Sequence, residues 1–273
     1  MLRSGAMSSS PFHRPHPEAP AQATLHPIEP GAAWAGLDLQ GFEVVSRGDF
    51  VSGVLAWSAV EAAAPLLLLI HGTGSSAAAP ALDFAADWVR AGWHVARLDL
   101  PLHGQRSSPK LSARLVAGLE ALDAGRALDV DTRALVEEFA RQSTSDLIRC
   151  VEALTGLPRV DAHCVALMGF GVGASACAWA LAHDVRPRAA VLALPTAAPQ
   201  NDPLDPSPAL ASGKDKAQVL AILDERSSPA ARHLASAGHE TRTIAAEQDA
   251  LPAADIAAAR SFLDKAYHDW AGR

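Results

Sequence analysis

The chain is poor in cysteine, has no long apolar run and shows no clustering of basic residues, and each shortage removes a class of function. Its three cysteines among 273 residues, Cys150, Cys164 and Cys177, fall in or beside apolar segments without the spacing of metal ligands. Buried thiols of a reducing compartment are therefore expected, with neither a disulfide framework nor a redox role. Nothing supplies the roughly 18 charge-free apolar residues of a membrane span. The first 30 residues, rich in Pro, Ser and His, hold no continuous apolar stretch of the kind a secretory signal needs. Lys and Arg total 23 against 30 Asp and Glu, a net charge of -7; the scattered basic residues leave no footprint for nucleic acid or an anionic membrane. A phosphate loop and a metal-ligand cluster are also missing, and GFGVGA lacks the full G-x-G-x-x-G pattern with its acidic partner, so no cofactor is implied. The expectation is a soluble cytoplasmic protein that meets a small molecule or another protein.

What is present suffices for one large core. Hydrophobic residues make up 49% and charged residues 19%, and α/β chains of this size commonly form one unit. Residues 1–35 read as a flexible arm, in which His13, His16 and His26 sit among prolines as surface histidines more than metal ligands. From 36 to 273 the pattern alternates. FEVVSR (42–47) and FVSGVLAW (50–57) flank Gly48-Asp49 as a hairpin; PLLLLIH (65–71), HVARLDL (94–100), CVALMGF (164–170), RAAVLAL (188–194), QVLAILD (218–224) and TRTIAA (241–246) follow as strands. Between them run amphipathic stretches, one at 132–155 with Leu135, Phe139, Leu147, Val151 and Leu154, another where Ile256, Ala259, Leu263, Ala266 and Trp270 share a helical face. This order predicts a mostly parallel eight-stranded sheet with helices on both faces. Ligands of such sheets sit beyond the C-terminal strand ends.

Three of those ends carry distinctive residues. After 65–71 comes His71-Gly72-Thr73-Gly74-Ser75-Ser76, whose glycines permit a tight turn with exposed amide N–H groups. After 94–100 comes DLPLHGQRS (99–107), close to DxPGHGxS. After 164–170 comes MGFGVGASA (168–176), which has the frame of G-x-S-x-G with glycine at its centre. In this order the stretches resemble the α/β-hydrolase superfamily over about residues 41–270, nearest to its esterase, dienelactone-hydrolase and prolyl-oligopeptidase-like branches. The resemblance implies the α/β-hydrolase fold and a Ser, acid, His triad in that chain order. Carried over residue by residue, the nucleophile position falls on Gly171 and the acid position on Ser227 in LDERS, with Asp224 or Glu225 available if that turn is shorter. The histidine position falls on Asp249 in AAEQDALPAAD. An oxyanion pocket is implied around Gly72, Thr73 and the N–H of Val172, with His71 and His103 as polar neighbours.

No other residue takes over the missing roles. Ser175 lies a helical turn beyond the elbow, Cys164 at the wrong end of its strand, and Ser75 and Ser76 suit turn chemistry. His71 and His103 read as structural residues that still offer polar contacts, and His239 precedes the last strand where it should follow. Residues 107–130 can form a short flap, with Arg106 and Lys110 near its start to favour an anion, or a solvated connector. An elbow strains its central residue by about 1–3 kcal/mol, which glycine avoids. The sequence therefore predicts a hydrolase-like protein without a recognisable triad that binds and does not hydrolyse. The alternatives are an enzyme in which Asp249, His71 or His103 activates water or a substrate proton, or an esterase-like hydrolase with a differently placed catalytic set.

Overall fold

An apolar run such as APLLLLI cannot leave either face in water, and it lies at the middle of the sheet with all of its residues buried. The computed structural model describes residues 19–29, 31–184, 186–211, 217–237, 240–244 and 251–271. Its strands are β1 (Ala23–Pro27), β2 (Asp38–Ser46), β3 (Asp49–Trp57), β4 (Ala64–Ile70), β5 (His94–Leu98), β6 (Val160–Phe170), β7 (Pro187–Ala193), β8 (Gln218–Asp224) and β9 (Glu240–Ile244). They form one sheet in the order β1-β2-β3-β5-β4-β6-β7-β8-β9. The pairs from β1 to β5 through β3 are antiparallel, and those from β5 through β4 to β9 are parallel.

The helices are α1 (Ala85–Arg90), α2 (Pro109–Asp123), α3 (Val130–Thr155), α4 (Val172–His183), α5 (Ser207–Ala211), α6 (Pro229–Ser236) and α7 (Ala253–Ala271). Alternation along β4 sends Leu66, Leu68 and Ile70 into the core under α2, α3, α4 and α6, and Leu67 and Leu69 into the core under α1 and α7. The helical face read at the C-terminus is buried at Ala259, Leu263 and Ala266, while the side chain of Trp270 lies outside the described residues. The sheet is mostly parallel and covered on both faces, as expected.

One expectation needs correction. The sheet has nine strands, because Ala23–Pro27, inside the segment read as an arm, pairs antiparallel with β2 from Ala23 opposite Val44 to Pro27 opposite Gln40. Only Ala23 and Leu25 of this strand pack inward, too short an alternation to stand out beside the prolines. Its His26 imidazole lies over Gly41, where any side chain would collide with it.

Residues 107–130 contain α2 and lead into α3. α2 carries Leu115, Leu119 and Leu122 into the core, and Gly118 lets it close on Thr132 and Val136 of α3. Deleting a fully buried leucine costs about 2–5 kcal/mol. Leu115→Ala should lower the urea-unfolding free energy by that amount, whereas a loose flap would shift it by under about 0.5 kcal/mol.

Candidate functional site

β6 ends at Phe170, α4 begins at Val172, and Gly171 makes the turn at φ 50°, ψ -118°. Both of its peptide groups are tied to β7 and the segment after it: its N–H donates to the O of Ala193, the last residue of β7 (2.9 Å), and its carbonyl accepts from Thr196 N (3.2 Å). The glycines on either side are there for packing. A Cβ on Gly169 would strike the Gly173 backbone, and one on Gly173 would strike the carbonyl oxygen of His71. At Gly171 the same test finds room: the nearest atoms, Gly72 Cα, Thr73 N and Thr73 Oγ1, all stand 3.7 Å from an ideal Cβ. Only the left-handed φ favours glycine there.

Beside this turn lies a cavity of about 420 Å³ lined by Gly72, Thr73, Ser75, Ala81, Leu82, Phe170, Gly171, Leu194 and Leu251. One end is polar, from the loop after β4; the wall is apolar. Leu194 holds φ 49°, a strained value for a branched side chain, and such outliers gather at functional sites. The cavity brings together Gly72, Thr73 and Gly171 of the residues singled out in the sequence. Val172 is fully buried behind them and contributes no lining.

The loop after β4 is braced from below. Leu100 N–H donates to His71 Nε2 (3.1 Å), so Nδ1 carries the proton and donates to Gly72 O (2.8 Å). Asp99, which the sequence reading passed over inside DLPLHGQRS, accepts from Ala77 N (2.7 Å) and Gln105 N (2.9 Å), locking the loop after β4 to the loop after β5. His103 donates from Nδ1 to Pro101 O (2.9 Å), and its ring centre stands 5.2 Å from that of His71. Both imidazoles are structural and neutral: burial pushes their pKa values below the ordinary histidine value.

Arg106 is turned to partners away from this cavity. It donates to the fully buried Asp146 on α3 (2.7 Å) and to Asp99 O (3.1 Å). Burial pushes the Asp146 carboxyl up, and Arg106 opposes that shift. Lys110 is exposed at the start of α2, away from the cavity lining.

The remaining candidates disperse. Ser175 is buried, its hydroxyl donating to Thr196 O. Burial pushes the Cys164 thiol up to about 12 and raises those of Cys150 and Cys177 as well; all three are free and buried. Ser227 donates from Oγ to Asp224 Oδ1 (2.9 Å) and accepts from Asp224 N (2.9 Å), closing the turn after β8, and neither it nor Asp224 nor Glu225 lines the cavity. Ser76 faces a separate pocket near Asp99. Asp249, His239, His13 and His16 lie outside the described residues, as does the end of the strand read at 241–246.

Among the described residues no serine, histidine and carboxylate form a hydrogen-bonded triad. Ser58 Oγ does reach His94 Nδ1 (3.3 Å), but at the opposite edge of the sheet, and the other ring nitrogen donates to Arg159 O. No described helix is long and apolar enough to cross a membrane, and no group of three metal-ligating side chains occurs among the described residues.

No protein-family model and no curated protein matches the chain. Solved structures do. An acetyl xylan esterase from a Paenibacillus species is 16% identical with a TM-score of 0.64, over 90% of this chain and 88% of that one. Acetyl xylan esterase 1 from a Thermoanaerobacterium species is 15% identical with a TM-score of 0.65, again over 90% and 88%. A cold-adapted esterase from an Arctic intertidal metagenomic library is 18% identical with a TM-score of 0.65, over 85% and 95%. The chain has the α/β-hydrolase fold.

Burial also lowers the pKa of His94. With His71, His94 and His103 all below the unfolded value near 6.5, the unfolded chain binds more protons than the folded one once the pH drops past that value. Stability should therefore be full above about pH 6.5 and decline towards pH 5, ahead of the usual carboxylate range. A thermal midpoint that stays flat between those values would contradict the neutral, buried assignment. His71→Gln, which can still accept from Leu100 N, should shrink the slope.

Proposed function

We propose that this protein is a hydrolase-like binding protein in which Gly171 occupies the nucleophile's place and the adjoining cavity holds a small molecule without covalent catalysis. The observation that carries the reading is at Gly171 itself: an elbow backbone on which a Cβ would meet its neighbours at an ordinary contact distance of 3.7 Å, so the side chain that the sequence omits would fit. Among the described residues nothing nearby substitutes for it. The Ser175 hydroxyl is spent on a carbonyl, and both nitrogens of His71 are engaged. Loss of a nucleophile or base in a serine protease costs on the order of 10^6 in turnover, leaving about 10^3 to 10^4 over water. Three buried free thiols fit a reducing interior, and the proposed location is the cytoplasm.

The purified protein should resist labelling by a fluorophosphonate probe and turn over p-nitrophenyl acetate no faster than a Gly171→Ala control. Stoichiometric labelling would sink the reading and direct attention to Ser75, the serine that lines the cavity.

Gly171→Ser should lose about 1–3 kcal/mol of stability, because a side chain at φ 50° restores the elbow strain. It should give no burst of product, since no described imidazole with a free acceptor nitrogen lines the cavity. Burst kinetics from this single change would show that a working base is already present.

A further inference from the structure

We infer that the cavity beside Gly171 takes a small carboxylic acid as its anion, one carboxylate oxygen lying in the hollow against the bare Cα of Gly171 on the side of Thr73 N, and the hydrocarbon part lying along the apolar wall. This rests on the binding-protein reading above. The hollow is bounded by Gly72 Cα, Thr73 N and Thr73 Oγ1. Its far side is thus an amide donor and a hydroxyl that can donate as well. Among the described residues neither group has a hydrogen-bond partner. Leaving a desolvated N–H unpaired is costly, so the ligand atom placed there must be an acceptor.

A carboxylate brings two acceptor oxygens and no donor. In a protein with a hydroxymethyl group at 171, that group would take the space of the second oxygen; here the space is open. No Asp or Glu among the described lining residues repels an anion, and both oxygens of Asp99 are held by the amides of Ala77 and Gln105. No Lys or Arg is among the described lining residues either, so among these residues hydrogen bonds alone replace the water that the anion gives up. Affinity then depends on the tail against Ala81, Leu82, Phe170, Leu194 and Leu251. A volume of about 420 Å³ is near the lower end for small-molecule pockets, which suits a tail of a few carbons or one ring.

The test titrates the full chain at neutral pH with hexanoate, hexanamide and methyl hexanoate, followed by amide chemical shifts and calorimetry. Hexanoate should shift the amides of Gly72, Thr73 and Gly171 and bind about tenfold or more tightly than hexanamide, the usual scale for a charged against a neutral hydrogen bond. Gly171→Ala fills the hollow and should weaken hexanoate about tenfold, with its thermal midpoint recorded. If that variant does not fold, Thr73→Val, which removes the hydroxyl and keeps the amide, should weaken hexanoate at least threefold.

Equal affinity for the amide, affinity unchanged in the folded variant, or binding that strengthens as the pH falls through the acid's own pKa overturns the carboxylate assignment. Absence of hexanoate binding, with the probe unreactive and methyl hexanoate intact, removes this inference and leaves the binding-protein reading standing. Hydrolysis of methyl hexanoate or labelling by the probe removes that reading, whatever the acid does.

Discussion

The carbonyl oxygen of His71 stands where a side chain on Gly173 would have to be, and the Gly173 backbone stands where one on Gly169 would be. This close approach of α4 to the ends of β4 and β6 sets the geometry of everything beyond the sheet. It brings the loop after β4 against the turn at Gly171, and it leaves the cavity between that loop and Leu194. Overpacked cores relax by backbone movement at a cost of about 1–3 kcal/mol. At two consecutive crossing points the nearest atoms are main chain, which cannot swing aside, so the two outer glycines of GFGVG are fixed by the fold whether or not any chemistry remains.

Below the cavity the structure spends polar groups on rigidity. Asp99 ties two loops by their amides, His71 serves as an acceptor for Leu100, and Arg106 joins the second loop to α3 through Asp146. A buried ion pair of this kind repays little net stability after desolvation, so its contribution is to the position of the loop. The same reasoning explains why the histidines are poor bases here. Each has been desolvated and given a main-chain partner, which holds the ring in place and disfavours the charged form a proton acceptor must reach.

The sequence showed β4 plainly, because an apolar run bounded by turn residues has few alternatives, and it showed the three loop motifs because glycine and histidine at strand ends are local signals. β1 was hidden: a five-residue edge strand half-buries only two side chains and carries a proline, so its pairing with β2 is tertiary information. In α2, Leu115, Leu119 and Leu122 repeat at helical spacing, which marks an apolar helix face, but what that face covers is tertiary information. Asp99 was in view within DLPLHGQRS, yet nothing local says that its carboxylate bridges two loops. Ser227 illustrates the limit of matching turns by register. The position was found, but its hydroxyl closes its own turn on Asp224.

The turn at 171 does not depend on what its central residue carries. Its N–H is held by Ala193 and its carbonyl by Thr196, so the elbow is held by the end of β7 and the segment following it. That segment pays for its own path with Leu194 at φ 49°. Strain of about 1–3 kcal/mol is therefore kept at Leu194, on the cavity wall, while glycine releases the comparable strain one strand away. Had the fold been relaxing for stability alone, Leu194 would be the equally accessible place for a glycine. The asymmetry makes sense if the leucine side chain is needed where it stands, and the surface it supplies there is the apolar wall of the cavity.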